Sequence, residues 1–175
     1  MKILVIGYGN PVRGDDAVGL WVVERLSGHG GIEAVAAWPF KPELIFKIAG
    51  ADLVVFVDAD ARSGPVRWRK LKPSPKPAAL SHVPSPEELL AWAKVVGKDP
   101  EAWLVTIPGS DFSLGHGISP RTREAAEGVI HRLEEWYGTF SQKWKSGRRE
   151  DIFWTSLQNS DGRDVGQHRE PGMEL

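Results

Sequence analysis

The chain has 175 residues, of which 41% are hydrophobic and 26% charged, and its formal net charge is −1. This length and composition are typical of a globular domain with its own core. The near-neutral charge gives no reason to expect nucleic acid or an anionic membrane as a partner. The sequence contains no cysteine, which excludes disulfides, thiolate zinc sites and cysteine-protease chemistry. Any metal must therefore be held by histidine, aspartate, glutamate or backbone oxygen.

The first half of the chain alternates between short apolar runs and amphipathic segments. The predicted elements are a strand over 2–8, a helix from Asp15 or Asp16 to about residue 27, a strand over 32–38, a helix over 42–50 and a strand over 53–57. The last of these is five consecutive apolar residues, which is typical of a strand buried on both faces. The first apolar run is too short for a signal peptide or a membrane span, so we expect a cytoplasmic protein.

The second half continues this alternation. The predicted elements are a half-exposed edge strand over 66–71, an irregular proline-rich stretch over 73–86, a helix over 86–96 capped by Ser85, a strand over 103–107 and a helix from about 120 to 137. This order predicts an α/β three-layer sandwich, with a mostly parallel twisted sheet of about five strands and helices on both faces. Residues 1–138 are predicted to form one domain, and residues 139–175 a tail or accessory segment.

Polar side chains follow several of the predicted strands, where open α/β sheets form their sites. They are Asn10, Asp15 and Asp16 in the first loop, Asp58 and Asp60 after the buried strand, His116 in a late glycine-rich loop, and Ser81 and His82 in the proline-rich stretch. Four of them also have a purely structural explanation: a helix cap for Asp15 or Asp16, a hydrogen-bonded turn for Asp58 and an exposed loop position for His82. The role of His116 stays open.

The first loop only partly matches a dinucleotide-binding fingerprint. Gly7 and Gly9 fit the pattern, but Val12 stands at the third glycine position. The adjacent carboxylates at 15 and 16 would repel a pyrophosphate at the helix start. A loop that presents carboxylates there is better suited to a cation.

Other hydrolase signatures are missing from the sequence. It contains no G-x-S-x-G elbow and no H-E-x-x-H helix. If the chain is a hydrolase, a metal is the element expected to polarise the substrate or to activate water.

Four ordered segments resemble the hydrogenase maturation endopeptidases. They are residues 7–11 (GYGNP) with 15–19 (DDAVG), residues 57–59 (VDA), residues 81–82 (SH) with 89–90 (LL), and residues 107–109 (IPG) leading to 117–120 (GISP). The resemblance covers roughly residues 1–137. The sequence departs from the family pattern over residues 38–44, where only a Pro-Glu-Leu remnant of the expected segment is present, so the family's substrate-specificity residues are not carried over to this chain.

The resemblance implies a specific reaction and a specific site. Family members remove the C-terminal extension of a nickel-loaded hydrogenase large-subunit precursor, which is then the expected partner. Carried over by position, Asp16, Asp58 and His82 are both the metal ligands and the catalytic residues. Nickel is expected to arrive with the substrate, and zinc or cadmium to substitute for it in vitro. Two carboxylates and one imidazole suit nickel or zinc better than calcium.

The implied site makes two predictions about geometry. The donor atoms of Asp16, Asp58 and His82 should lie within roughly 5 Å of one another, because metal–ligand bonds to N and O are about 2.0–2.2 Å long. Asp15 should serve the helix start or the loop, and Asp60 should lie outside the metal's ligands. The sequence assigns no nucleophile.

Two other functions remain open at this point. One is a non-catalytic, nickel-sensing assembly partner of hydrogenase on the same fold. The other is a different small hydrolase or a nucleotide-binding α/β protein.

Overall fold

The computed structural model describes residues 2–75 and 84–145. In these ranges the elements are β1 (Ile3–Gly7), a 3-10 helix (Gly14–Ala17), α1 (Val18–Leu26), β2 (Ile32–Ala36), α2 (Glu43–Ala49), β3 (Leu53–Asp60), β4 (Arg67–Lys70), α3 (Pro86–Val96), β5 (Glu101–Pro108) and α4 (Pro120–Lys145). The five strands form a single sheet in the order β2-β1-β3-β5-β4. The predicted α/β class is confirmed.

The sheet is parallel except at one edge. β1 pairs in parallel with β2 and with β3, and β3 pairs in parallel with β5. β4 closes the sheet at one edge, antiparallel to β5, and its side chains are half-buried or exposed. The prediction of a half-exposed edge strand is therefore confirmed.

Helices α2 and α3 cover one face of the sheet. Side chains of both helices join the inward-facing positions of the strands in one apolar cluster, which includes Leu4, Ile6, Val54, Phe56, Leu44, Ile48, Leu89, Leu90 and Ala93. Because successive side chains of a strand point to opposite faces, the buried positions between these belong to the other face. The central strands are consequently apolar on both sides, as the run over 53–57 predicts.

Helices α1 and α4 cover the opposite face. A Cβ atom at Gly7 of β1 would collide with the backbone of Gly19 and touch Val23, both in α1. Trp68 of β4 is paired with Val105 and therefore shares its face. Its ring lies 4.6 Å from the ring of Trp136 in α4, so the three-layer arrangement is complete.

The start of α3 follows the predicted capping chemistry. Ser85 accepts the backbone N–H of Glu88 at its Oγ (3.3 Å), and the Glu88 carboxylate accepts the backbone N–H of Ser85 (2.8 Å). This capping box, with Pro86 at the first helical position, fixes where the chain enters α3.

Three elements are longer than the sequence predicts: β3, α4 and β5, which spans Glu101–Pro108 instead of 103–107. β3 continues through Asp58 to Asp60, because these residues keep their pairing with β5 up to Pro108. The end of α4 at about residue 137 was predicted wrongly, because the helix runs to Lys145. Gly138 lies inside it, and an isolated glycine costs a helix only about 1 kcal/mol relative to alanine.

The chain divides into a compact unit over residues 1–137 and a second unit from residue 138. Residues 146–175 lie outside the described part, so the tail predicted over 139–175 stays a prediction beyond the end of α4. Among the described residues, no helix combines the length and the apolar character needed to cross a membrane.

Candidate functional site

The fold creates a crevice at the carboxyl end of the central strands. β1 lies between β2 and β3. The connection that leaves β1 passes through α1 on one face, whereas β3 is reached through α2 on the other face. Where connections diverge in this way, the loops after the strands part and leave room for a ligand.

A cavity of about 310 Å³ occupies this crevice. It is lined by residues that follow β1 and β2 and by one residue of β3, namely Tyr8, Gly9, Asn10, Arg13, Asp16, Ala37, Trp38 and Asp58. Two of the three residues predicted to bind metal, Asp16 and Asp58, thus line the same cavity. Forty-two positions separate them in the sequence (58 − 16), and the parallel pairing of β1 with β3 brings their elements together.

Asp16 is held in place by the loop that precedes it. Its Oδ2 accepts the backbone N–H of Asn10 (2.9 Å), and the Asn10 side chain accepts the N–H of Val12 (3.1 Å). Gly9 has φ of +126°, and a Cβ there would overlap the carbonyl oxygen of Asp16. A glycine is therefore required for the loop to close on the carboxylate. The Asn10 N–H that could have bound a phosphate is already taken, which argues against the nucleotide-binding alternative.

Asp58 occupies the last part of β3, beside the crevice. One of its carboxylate oxygens accepts the backbone N–H of Ala59 (2.9 Å). Burial raises the pKa of Asp58, and the negative charges of Asp16 and Asp60 raise it further. The hydrogen bond from Ala59 lowers the pKa, but by less than these causes raise it. Asp16 and Asp58 are thus close enough to repel each other, and a cation between them would relieve both the burial and the repulsion.

The neighbouring Asp15 points away from the cavity and is fully buried. Its carboxylate accepts backbone N–H groups from three residues of the late loop: Ser110 (2.7 Å), Asp111 (2.9 Å) and Ser119 (2.6 Å). The Ser119 hydroxyl donates as well (2.9 Å). Burial alone would raise the pKa of Asp15, but these donors lower it to about 2. Asp15 therefore joins the first loop to the late loop, and its side chain makes no cap to the helix that follows.

This environment predicts an acid-dependent loss of stability. Because the folded pKa of Asp15 lies below the ordinary value of 3.8, its contribution is complete above about pH 4 and disappears as the pH falls towards 2. Urea denaturation of wild type and Asp15→Asn between pH 6 and pH 3 measures this. The difference in free energy of unfolding between the two should shrink as the pH falls, and a difference that stays constant would contradict the assignment.

Asp60, the other spare acid, is engaged by arginine. Its carboxylate accepts the backbone N–H of Arg62 (2.9 Å), the Nε and Nη2 of the same side chain (3.1 and 3.0 Å), and Nη2 of Arg67. The bonds from Arg62, followed by the one from Arg67, lower the pKa of Asp60 to about 2. Its charge is thus neutralised by partners, unlike that of Asp58.

His82, the third predicted ligand, lies outside the described residues, as does Ser81. The convergence of Asp16, Asp58 and His82 within 5 Å therefore stays a prediction. In the described ranges, no group of three or more His, Asp or Glu side chains is arranged to hold a metal ion. The described chain resumes at Pro84, whose carbonyl oxygen accepts a long hydrogen bond from the hydroxyl of Tyr8 (3.4 Å) in the cavity wall.

Three lining residues were not predicted from the sequence. Tyr8 was assigned to a strand. Its pKa is raised far above its ordinary value by burial, followed by the charges of Asp58, Glu87 and Glu88. Arg13 is exposed and supplies the positive charge in the cavity lining that the structure describes. Trp38 is 46% exposed. None of the three was given a role from the sequence, and the turns after β1 and β2 bring them to the crevice.

The late loop carries the histidine whose role the sequence left open. His116 is exposed, and its Nδ1 lies 2.8 Å from Asp111. The hydrogen bond from His116, with those from Ser113, holds the pKa of Asp111 well below its usual range. This loop adjoins the first loop, because the N–H of Gly115 donates to the carbonyl oxygen of Val12 (2.9 Å).

Solved structures that are similar to this chain include hydrogenase maturation proteases. One is a NiFe hydrogenase maturation protease, HycI, from Thermococcus kodakarensis KOD1, with 27% identity, 77% of this chain and 90% of that chain covered, and a TM-score of 0.58. Another is the hydrogenase maturating endopeptidase HybD from E. coli, with 21% identity and a TM-score of 0.58. The match covers 76% of this chain and 90% of that chain. A third is a hydrogenase 2 maturation peptidase from Thaumarchaeota archaeon SCGC_AB-539-E09, with 20% identity and a TM-score of 0.58. The match covers 79% of this chain and 99% of that chain.

No protein-family model matches the sequence, and no curated protein matches it. The two neighbours below 25% identity show the fold, and the first adds a closer sequence match over most of both chains. The first two of the ordered motifs lie where this fold forms its crevice, with Gly9, Asn10, Asp16 and Asp58 in the cavity wall. The chain therefore shares the fold of these hydrogenase maturation proteases, and its ordered motifs resemble those of the family.

Proposed function

We propose that this protein is an endopeptidase that removes the C-terminal extension of a nickel-loaded hydrogenase large-subunit precursor in the cytoplasm. The observation that carries the proposal is the pair of carboxylates, Asp16 and Asp58, in one cavity at the crevice of a maturation protease fold. Asp58 is partly buried and repelled by Asp16, so the site favours a substrate that brings a positive charge.

In this proposal the nickel ion belongs to the substrate. Asp16, Asp58 and His82 bind it through coordination positions that the precursor leaves open, and the protein thereby distinguishes loaded from unloaded precursor. Two carboxylates and an imidazole are donors that nickel accepts. The choice of His82 is supported by Pro84, two positions further along the sequence, which contacts Tyr8 of the cavity lining.

The bond to be cut then lies beside the carboxylates. Water adds to the carbonyl carbon of the scissile peptide, the C–N bond breaks, and the departing amine takes the proton that the water gives up. The chain offers no cysteine for this step, and no serine of the late loop stands out, because Ser110 and Ser119 are hydrogen-bonded to Asp15. The residues of the site bind and orient the substrate, and water is the nucleophile.

Incubating the purified protein with nickel-loaded precursor tests the proposal directly. Mass spectrometry should show the large subunit losing the mass of its C-terminal extension, and His82→Ala should cut much more slowly. A complex that forms without any loss of mass would instead support a non-catalytic, nickel-sensing assembly role.

A further inference from the structure

Two exposed apolar side chains stand on the first loop, which lines the cavity, and on the late loop, which is hydrogen-bonded to it. Val12 of the first loop is 56% exposed, and Leu114 of the late loop is 72% exposed. The backbone bond from Gly115 to Val12 joins the two loops one residue away from Leu114. We propose that Val12 and Leu114, here called the loop-tip pair, form the docking contact for the folded body of the precursor. This inference rests on the proposed function.

The loop-tip pair is continuous with the site. Val12 is flanked in the chain by Asn10 and Arg13, and both of these line the cavity. A protein substrate that brings its cleavage segment to Asp16 and Asp58 must lay its surface over the residues bordering the cavity. The matching surface on the precursor is an apolar depression beside the cleavage segment.

The structure holds the loop-tip pair rigidly. The N–H of Asp15 donates to the carbonyl oxygen of Asp111 (2.7 Å), and the Asp15 carboxylate receives three N–H groups from the late loop. Gly14 has φ of +50°, and a Cβ there would overlap the backbone of Asp111. Val12 donates its own N–H to Asn10 (3.1 Å). Side chains on such a preorganised frame lose little conformational entropy on binding.

Exposure of apolar residues elsewhere provides a matched control. Val95 and Val96, at the end of α3, are 84% and 51% exposed. They shortly precede the start of β5 at Glu101, and therefore lie at the end of the sheet opposite to the cavity. They make no contribution to docking in this proposal.

The test compares two double variants. The loop-tip variant carries Val12→Ser together with Leu114→Ser, and the control variant carries Val95→Ser together with Val96→Ser. Binding of nickel-loaded precursor is measured by biolayer interferometry, and cleavage by initial rates over a range of precursor concentrations. The loop-tip variant should bind roughly tenfold more weakly, with a higher KM and an unchanged kcat, while the control variant matches wild type. Thermal unfolding of both variants checks that they remain folded.

Unchanged affinity in the loop-tip variant, or equal weakening in the control, would overturn the inference. Size-exclusion chromatography adds a further outcome: if wild type is a dimer and the loop-tip variant a monomer, the pair is a contact between copies of this chain, and the inference is wrong. Binding is measured independently of cleavage, so a protein that binds precursor through the loop-tip pair without cutting it would refute the endopeptidase proposal alone.

Discussion

Replacing Asp58 with asparagine is expected to slow release of the C-terminal extension by about a hundredfold or more. The amide can still accept the N–H of Ala59, so the end of β3 keeps its shape. What disappears is the negative charge that faces Asp16 across the cavity. Loss of a group that only supports a metal ligand typically costs 10- to 100-fold in affinity or activity, and loss of a ligand itself should cost at least as much.

Asp60→Asn is the matched control for this variant, because it makes the same chemical change two residues further along β3. The charge of Asp60 is already neutralised by Arg62 and Arg67, so processing should remain near the wild-type rate. Mass spectrometry of the large subunit over time measures both variants. Equal losses in the two would show that Asp58 is the wrong choice of ligand.

Replacing the adjacent aspartates at 15 and 16 one at a time should have different effects: loss of Asp15 should lower stability, and loss of Asp16 should abolish processing. Asp15→Ala leaves the backbone N–H groups of Ser110, Asp111 and Ser119 without their acceptor. Each buried donor left unsatisfied costs about 1–3 kcal/mol, so the free energy of unfolding should fall by about 3 kcal/mol or more. For a domain of this size that corresponds to a melting temperature lower by about 10 °C.

Asp16→Ala should have the opposite profile. It removes a single acceptor, for the N–H of Asn10 at a part-buried position, so the melting temperature should change by only a few degrees. Processing should nevertheless be lost, because Asp16 faces the cavity. Thermal denaturation followed by circular dichroism, together with the cleavage assay, measures both effects. A strongly destabilised Asp16→Ala beside a stable Asp15→Ala would reverse the two roles.

Much of the fold follows from local sequence patterns. The apolar run over 53–57 is typical of a buried strand, and it forms the centre of the sheet. Ser85, Pro86 and Glu88 specify the start of α3 before any tertiary contact is known. Patterns of this kind depend on near neighbours in the chain, which is why they can be read from the sequence.

The different roles of Asp15, which joins two loops, and Asp16, which lines the cavity, could not be predicted from the sequence. The difference depends on the late loop, whose donors lie 95 to 104 positions further along the chain than Asp15. The same reason applies to Trp38, which follows β2 and reaches the cavity because β2 lies beside β1 in the sheet. Sequence motifs placed the site after β1 and β3, and tertiary contacts decided which side chains line it.

The most direct test of this account is the cleavage of one precursor large subunit prepared with and without nickel. If Asp16, Asp58 and His82 bind the nickel of the substrate, the protein should shorten the loaded precursor and leave the nickel-free precursor at full mass under the same conditions. Efficient cutting of the nickel-free precursor would contradict the account, because the carboxylates of the cavity would then act without the charge that they are proposed to bind.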